Sequence, residues 1–173
     1  MSQQVIWKSF EENQLTHSAS HYLMAINELM QDQGYARVTD IAKTLNITRG
    51  SCSISLKPLK KRGLVLEDQN KFMRLSAEGN QLVRLIEKND KLLEALFRDV
   101  LGVGTDQAEI DACKIEHLLS IETSAKLERF ISFLANNKNL TENFLSELHK
   151  HPACSTLESS DKNTIIPKER TAL

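Results

Sequence analysis

The segment from Val38 to Leu75 constrains the fold more than any other part of this sequence. In its first part the apolar residues Ile41, Ala42 and Leu45 recur at helical spacing, and Thr39 can cap a short helix there. Thr48 can cap a second helix that runs from Arg49 to Arg62 and closes at Gly63. Two short helices separated by about three residues predict a helix-turn-helix.

Two short apolar runs follow Gly63, and a polar turn at residues 67–70 separates them. This pattern predicts a β-hairpin, and a hairpin placed directly after a helix-turn-helix is the wing of a winged-helix module. A helix with a regular apolar stripe precedes the pair and stops at Gly34. The predicted fold is therefore mainly α, with an N-terminal winged helix-turn-helix followed by an all-helical second domain.

The charge of this module suggests a polyanionic partner. Residues 35–75 carry nine basic and three acidic side chains, although the whole chain has a net charge of −1. Basic residues on one module suit phosphate contacts, while a solvated helix face would carry the same charges. Small hydroxyl side chains at the start of the second helix could lie close to base edges or phosphates. The predicted DNA-binding residues are Arg37, Thr48, Arg49, Ser51, Ser53, Lys57, Lys60 and Lys71.

Three potential metal ligands lie within one turn of a later predicted helix. Cys113, Glu116 and His117 are three and four residues apart, so an α-helix would place them on one face. Thiolate, carboxylate and imidazole are ordinary ligands of divalent transition metals. A core cysteine beside a hydrogen-bonded Glu–His pair would give the same pattern.

Composition and motifs argue against a membrane protein, a secreted disulfide-rich protein and an enzyme. The 173 residues are 40% hydrophobic and 26% charged, and no apolar run approaches the roughly 20 residues that cross a membrane. Met1 to Ser9 lacks the apolar core of a secretory signal, so we expect a cytoplasmic protein with no membrane partner. Three widely spaced cysteines do not suggest a disulfide framework. Because no phosphate loop, paired nucleophile or His-Glu-x-x-His motif occurs, we expect no enzyme.

The order of these parts resembles the diphtheria toxin repressor family, which includes iron-dependent and manganese transport regulators. The resemblance covers residues 17–148 and is to the two-domain form. Gly34 to Ala42 is similar to the manganese branch, and Asp111 to His117 is similar to the iron branch. It implies a homodimeric repressor that binds double-stranded operator DNA and controls metal-homeostasis genes when Fe(II) or Mn(II) is bound. Fe(II) is the first expectation, with Mn(II) or Zn(II) as alternatives.

The resemblance also implies two metal sites. The primary ligands would be His21, Cys113, Glu116 and His117, and the ancillary ligands would be Asp90, Glu94 and Glu109. His21 is a departure because the family usually has Met or Asp there. Met24 stands where the manganese branch has a ligating Glu, so it is a possible but poor ligand for Mn(II). His17 could compete with His21, and we rank it lower.

The predicted domain boundaries are an N-terminal arm at 1–16, the winged helix-turn-helix at 17–76, the helical dimerisation and metal-binding domain at 77–150, and a disordered tail at 151–173. A second, weaker metal-ligand cluster comprises His149, His151 and Cys154. Two alternatives stay open: a winged-helix regulator that senses oxidants or an organic ligand through Cys113 or Cys52, and a metalloenzyme that uses the Cys113 site.

Overall fold

The computed structural model describes residues 15–151, so most of the predicted arm and tail, with Cys154, lies outside the described residues. The mainly helical fold with a small sheet is confirmed. In chain order the elements are α1 (His17–Asp32), α2 (Val38–Thr44), α3 (Arg49–Lys61), β1 (Val65–Glu67), β2 (Met73–Leu75), α4 (Ala77–Ala95), α5 (Thr105–Ile115), α6 (Ile121–Asn136) and α7 (Lys138–Lys150).

The helix-turn-helix and wing form as the sequence predicts. Thr48 caps α3 by accepting a hydrogen bond from the backbone N–H of Ser51 at 3.1 Å. The strands β1 and β2 pair antiparallel, with Val65 opposite Leu75 and Glu67 opposite Met73. The predicted cap at Thr39 is wrong because α2 begins at Val38, with Arg37 in the capping position.

Helix α3 continues through Pro58 to Lys61 and buries one narrow stripe. Cys52, Leu56 and Leu59 recur at four- and three-residue steps and are at most 2% exposed. Ile54 lies two residues beyond Cys52, on the opposite side, and is 66% exposed. From the sequence, Ile54 is expected to anchor this helix to the core together with Leu56 and Leu59; for Ile54 this prediction is wrong.

One hydrophobic core joins these elements to the start of α4. Leu23 and Ile26 of α1, Ile41 of α2 and Ile86 of α4 are at most 1% exposed and belong to the same cluster. Gly79 allows the first turn of α4 to approach the wing, since a Cβ atom there would collide with the carbonyl oxygen of Leu64. The metal-ligand candidates on α1 are thus tied to α4 through shared packing.

Beyond α4, the helix widens into a π-helical turn at Leu96–Val100 before Gly102 and Gly104 separate it from α5. Among the described residues, no helix is long and apolar enough to span a membrane. The chain divides into two compact units between Phe133 and Leu134. The domain boundaries predicted at residues 76 and 150 stay predictions.

The sequence predicts a short last helix that begins at Thr141, with Phe144, Leu145 and Leu148 facing inward. In the structure this helix is α7, which lies in the second unit and begins at Lys138. The Thr141 hydroxyl donates a hydrogen bond to the Leu134 carbonyl at 2.8 Å. Phe144 and Leu148, predicted to point inward, are 43% and 38% exposed in the single chain.

Candidate metal centre and nucleic-acid interface

Two histidines of α1 and one cysteine of α5 converge on a single point. The Nε2 atoms of His17 and His21 are 3.0 Å apart. The Sγ atom of Cys113 lies 3.5 Å from the Nε2 of His17 and 3.6 Å from that of His21. In the part of the chain that the structure describes, these are the three potential metal-ligating atoms that gather within 4.8 Å.

The positions of these side chains follow from local structure. Thr16 caps α1, and His17 and His21 stand one turn apart on the same face of that helix. Helix α5 ends at Ile115, and a 3₁₀ turn at Glu116–Leu118 follows. Cys113, Glu116 and His117 are therefore not on one continuous α-helical face, which corrects the sequence interpretation.

Glu116 is 1% exposed and directed toward other carboxylates. Its backbone carbonyl accepts a hydrogen bond from Asn89 Nδ2 at 2.8 Å. Burial, the charge and hydrogen bond of Asp90, and the charge of Glu94 raise the pKa of Glu116 to about 8. Its Oε1 atom is buried with no hydrogen-bond partner among the described residues. Such an orphaned oxygen is costly unless a bound group satisfies it.

His117, in the same 3₁₀ turn as Glu116, lies near His17. Its ring centroid is 5.5 Å from that of His17, and its buried Nδ1 has no hydrogen-bond partner in the described chain. Burial and then the nearby His17 and His21 lower the pKa of His117. Burial and then His17 lower the pKa of His21 in the same way. Both imidazoles are thereby kept neutral, which is the form that ligates a metal.

The predicted ancillary residues border this region without joining the His/Cys cluster. Asp90 and Glu94 act on Glu116, and Asp90 and Glu109 act on Cys113 through their charge. Burial, followed by the charges of Glu116, Asp90 and Glu109, raises the pKa of the Cys113 thiol. Met24 is partly buried and packs against the hydrophobic core, and its role as a possible ligand stays a prediction.

The candidate DNA-binding side chains lie on exposed parts of α3 and the wing. Arg49, Ser51, Ser53 and Lys57 are all exposed. On the wing, Glu67 binds two of the predicted cations, with Oε2 2.7 Å from Lys60 Nζ and Oε1 3.5 Å from Lys71 Nζ. Cys52 is fully buried, and burial raises its thiol pKa, which argues against a reactive sensor thiol there.

Arg37 stands between the wing and α3. Its guanidinium carbon lies 4.6 Å from the Phe72 ring centroid and 5.8 Å from that of Tyr35. These aromatic rings pack edge to face, with centroids 5.6 Å apart. A cleft of about 410 Å³ is lined by Arg37, Val38, Thr39, Arg49, Asn70 and Lys71. The stacking on Phe72 aims a cation into a cleft of suitable charge for a phosphate.

Comparison with known proteins identifies both halves of the chain. Residues 14–71 match the model of the iron dependent repressor N-terminal DNA binding domain. Residues 76–144 match the model of the iron dependent repressor metal binding and dimerisation domain. The chain belongs to the iron-dependent repressor family. The resemblance to diphtheria toxin repressor and manganese transport regulators is confirmed, and the members are metal-dependent transcriptional regulators instead of enzymes.

Relatives from several bacteria extend along most of the chain. The HTH-type transcriptional regulator MntR of Shouchella clausii is 27% identical over 135 residues, covering 78% of this chain and 93% of its own. The protein of the same name from Listeria welshimeri is 28% identical over 127 residues, covering 73% and 89%.

Solved structures share the fold. The IdeR structure from T. acidophilum aligns with a TM-score of 0.52 and 26% identity over 64% of this chain. The manganese regulator SloR aligns over 66% of this chain, with a TM-score of 0.58 and 24% identity, and supports the fold alone. This chain spans about half the length of these two, 53% of each.

The residues present fit the divalent metal that the family binds. Imidazole nitrogens and a cysteine sulfur converge within ligand distance of a shared point, and neighbouring buried atoms of Glu116 and His117 are without partners in the described chain. His17, expected from the sequence to be less important than His21, belongs to this cluster beside it. The available signal was the spacing of four between the two histidines, which gives one helix face.

Proposed function

We propose that this chain is a cytoplasmic repressor that binds double-stranded operator DNA as a homodimer when Fe(II), or alternatively Mn(II), is bound, and that it controls metal-homeostasis genes. The observation that carries the proposal is the approach of His21 to Cys113, at 3.6 Å. His21 belongs to the part of the chain that matches a DNA-binding domain, and Cys113 belongs to the part that matches a metal-binding domain.

DNA binding would use α3 in the major groove and the wing on flanking phosphates. Ser51 and Ser53 are short enough for close approach to base edges, and Arg49 and Lys57 add positive charge on the exposed side of the helix. Arg37 and Lys71 line the cleft beside Arg49 and would hold a backbone phosphate there. Thr48 would keep its hydroxyl in the cap of α3, where it also donates to Ser51.

The metal site would join the two halves of the regulator. His21, Cys113 and His117 supply nitrogen and sulfur donors, and Glu116 is the carboxylate that the resemblance adds to the primary set. A bound divalent ion supplies a positive charge and directional bonds that these residues share. Nitrogen and thiolate donors suit Fe(II) better than Mn(II), which prefers oxygen. Asp90, Glu94 and Glu109 would form the harder ancillary site.

Coupling to DNA follows from the positions of the ligands. His21 lies on α1, which packs into the core of the helix-turn-helix, whereas Cys113 lies on α5. Side chains that share one ion from both helices would restrict how α1 and α5 move relative to each other. In a homodimer this would fix the separation of the two α3 helices, which must match two half-sites on DNA.

A second copy of this chain is the proposed partner for exposed apolar residues of the dimerisation domain. Leu101, Ile110, Leu118 and Ile121 are between 49% and 76% exposed in the single chain. Clusters of large exposed apolar side chains commonly mark protein interfaces. Burial of these side chains against a second copy would remove them from water.

The test is a gel shift on a duplex selected from random sequence, with chelated protein and with added Fe(II), Mn(II) or Zn(II) under anaerobic conditions. We expect a shift that requires metal and is strongest with Fe(II). His21→Ala should lose the metal dependence, whereas Ser18→Ala, an exposed neighbour on α1, should retain it. Metal-independent binding by the wild-type chain, or unchanged metal dependence in His21→Ala, contradicts the proposal.

A further inference from the structure

His17 is the feature of the metal region that neither the family resemblance nor the family models assign. It is the first residue of α1, one helical turn before His21, and its side chain is exposed. Its Nε2 atom lies 3.0 Å from His21 Nε2 and 3.5 Å from Cys113 Sγ. No other residue of the described chain approaches both members of the His21–Cys113 pair in this way.

A network of hydrogen bonds explains only part of this arrangement. One N–H donor can bridge the two Nε2 atoms, and the thiol can donate once. Once one Nε2 carries the proton and the other accepts it, Cys113 Sγ is left with only weak sulfur contacts, at 3.5 and 3.6 Å. His117 adds a further ring 5.5 Å from the ring of His17. Two imidazoles and a thiol whose ligand atoms lie within 4.8 Å of one another supply three donors of a four-coordinate nitrogen–sulfur metal site.

The alternative to His17 as the third ligand beside His21 and Cys113 is Glu116, and its surroundings argue against it. Glu116 is 1% exposed, and the carboxylates of Asp90 and Glu94 are the groups that act on its side chain. Its backbone carbonyl is held by Asn89. The described His/Cys cluster contains His17 and does not contain Glu116.

We propose that His17 is a metal ligand, and that it shares a site with His21 and Cys113 for borderline divalent metals such as Fe(II), Co(II) and Zn(II). The proposal rests on the metal-responsive function above and specifies its ligand set. Replacement of an oxygen ligand by an imidazole favours these metals over Mn(II). The exposed position of His17 also gives the site a side that is open to solvent, through which a metal could enter.

Cobalt(II) is the probe because its spectrum reports ligands directly, without DNA. Wild-type protein titrated anaerobically with Co(II) should develop a thiolate-to-cobalt charge-transfer band and the intense visible bands of a four-coordinate ion. Cys113→Ser should remove the charge-transfer band. His17→Ala should keep that band, lose intensity in the visible bands, and bind Co(II) at least roughly 10-fold more weakly. Added imidazole should restore the visible bands.

Selectivity provides a second measurement. Loss of an imidazole should weaken Co(II) more than Mn(II), so competition between the two metals should be closer in His17→Ala than in wild type. Ser18→Ala is the matched control, since it alters the adjacent exposed residue of the same helix and should leave both measurements unchanged. Circular dichroism of each variant checks that α1 is retained.

The outcomes separate the two proposals. If His17→Ala has wild-type Co(II) affinity and spectrum while His21→Ala and Cys113→Ser lose them, His17 is not a ligand and the proposed function stands. If Glu116→Gln instead reproduces the losses expected of His17→Ala, Glu116 takes the place of His17 and this inference is overturned. If none of the four variants alters Co(II) binding, the site itself and the proposed function both fail.

Discussion

The wing and the metal region differ in whether their polar groups have hydrogen-bond partners. In the wing, Asp68 Oδ1 accepts hydrogen bonds from the backbone N–H groups of Asn70 and Phe72, both at 2.9 Å. Glu67 pairs with Lys60 and Lys71. In the metal region, buried atoms of Asn89, Glu116 and His117 have no hydrogen-bond partner among the described residues.

This difference indicates which region is complete without a ligand. Satisfied turn hydrogen bonds hold the wing in its shape, even with Lys71 in the left-handed region at φ 65°. Unsatisfied buried polar atoms cost about 1–3 kcal/mol each, and a bound ion that uses them would recover part of that cost. The proposed DNA-facing surface is thus formed before any ligand binds, whereas the proposed metal site would be completed by its ion.

The largest expected effect follows from completing the metal region. Relative to metal-free protein, metal at 100 to 1,000 times its dissociation constant should raise the free energy of unfolding by about 3–4 kcal/mol. Hydrogen exchange should slow in α1 and α5, while the amides of Asn70 and Phe72 should change little. Chemical denaturation and exchange mass spectrometry measure both. Equal slowing in the wing would show that the wing, too, is incomplete without metal. Cys113→Ser should lose most of the stabilisation that metal gives.

A pair of substitutions tests the same distinction in metal-free protein. Asp68→Ala should lower the free energy of unfolding by about 1–2 kcal/mol because it removes the acceptor of two backbone N–H groups. Glu116→Gln should raise it, by about 1 kcal/mol, because it removes a buried carboxyl that faces Asp90 and Glu94. Urea unfolding in the presence of chelator provides the values. Two changes of the same sign would show that the two regions are equally satisfied.

Most of the fold could be predicted from the sequence because the signals that determine it are local. The stripe of Leu23 and Ile26 and the cap at Thr48 each act within one or two turns. Ile54 was predicted to be buried because it is apolar, but it is exposed. Cys52, Leu56 and Leu59 already form the complete buried stripe of α3. An exposed apolar residue is ordinary on a protein surface.

The site was harder to predict because its geometry depends on tertiary contacts. No glycine or proline marks the end of α5, yet the backbone leaves the helix at Ile115, with φ −122°, and redirects Glu116 and His117. Asn89, which lies 27 residues away, holds the turn through the Glu116 carbonyl. The residue types around Cys113 were evident from the sequence, but which of them meet His17 and His21 depends on how α1 and α5 come together.

The prepared state of the wing gives a third prediction. Phe72→Ala removes the ring on which Arg37 stacks most closely, so affinity for operator DNA should fall about 5- to 10-fold, or roughly 1 kcal/mol. Tyr35→Ala should have a smaller effect because that ring is 5.8 Å from the guanidinium carbon instead of 4.6 Å. Fluorescence anisotropy with metal-loaded protein measures the affinities. A larger loss from Tyr35→Ala would show that Phe72 does not position Arg37, and Co(II) binding by both variants should match wild type.

The smallest expected effect concerns Glu67, which stabilises the wing and also lowers its positive charge. The Lys60 hydrogen bond is the largest of the influences that lower the pKa of Glu67, so this carboxylate is ionised at neutral pH. Glu67→Gln keeps a hydrogen-bonding side chain and frees charge on Lys60 and Lys71 for phosphates. Operator affinity at low salt should rise by a few-fold, and the dependence of affinity on salt should steepen by up to about one counterion. Glu122→Gln breaks a more exposed ion pair, with Lys126 on α6 and outside the wing, and should change neither quantity. A fall in affinity for Glu67→Gln would mean that the ion pairs hold the wing in its binding shape, and that its readiness for DNA depends on Glu67 as well as on the hydrogen bonds to Asp68.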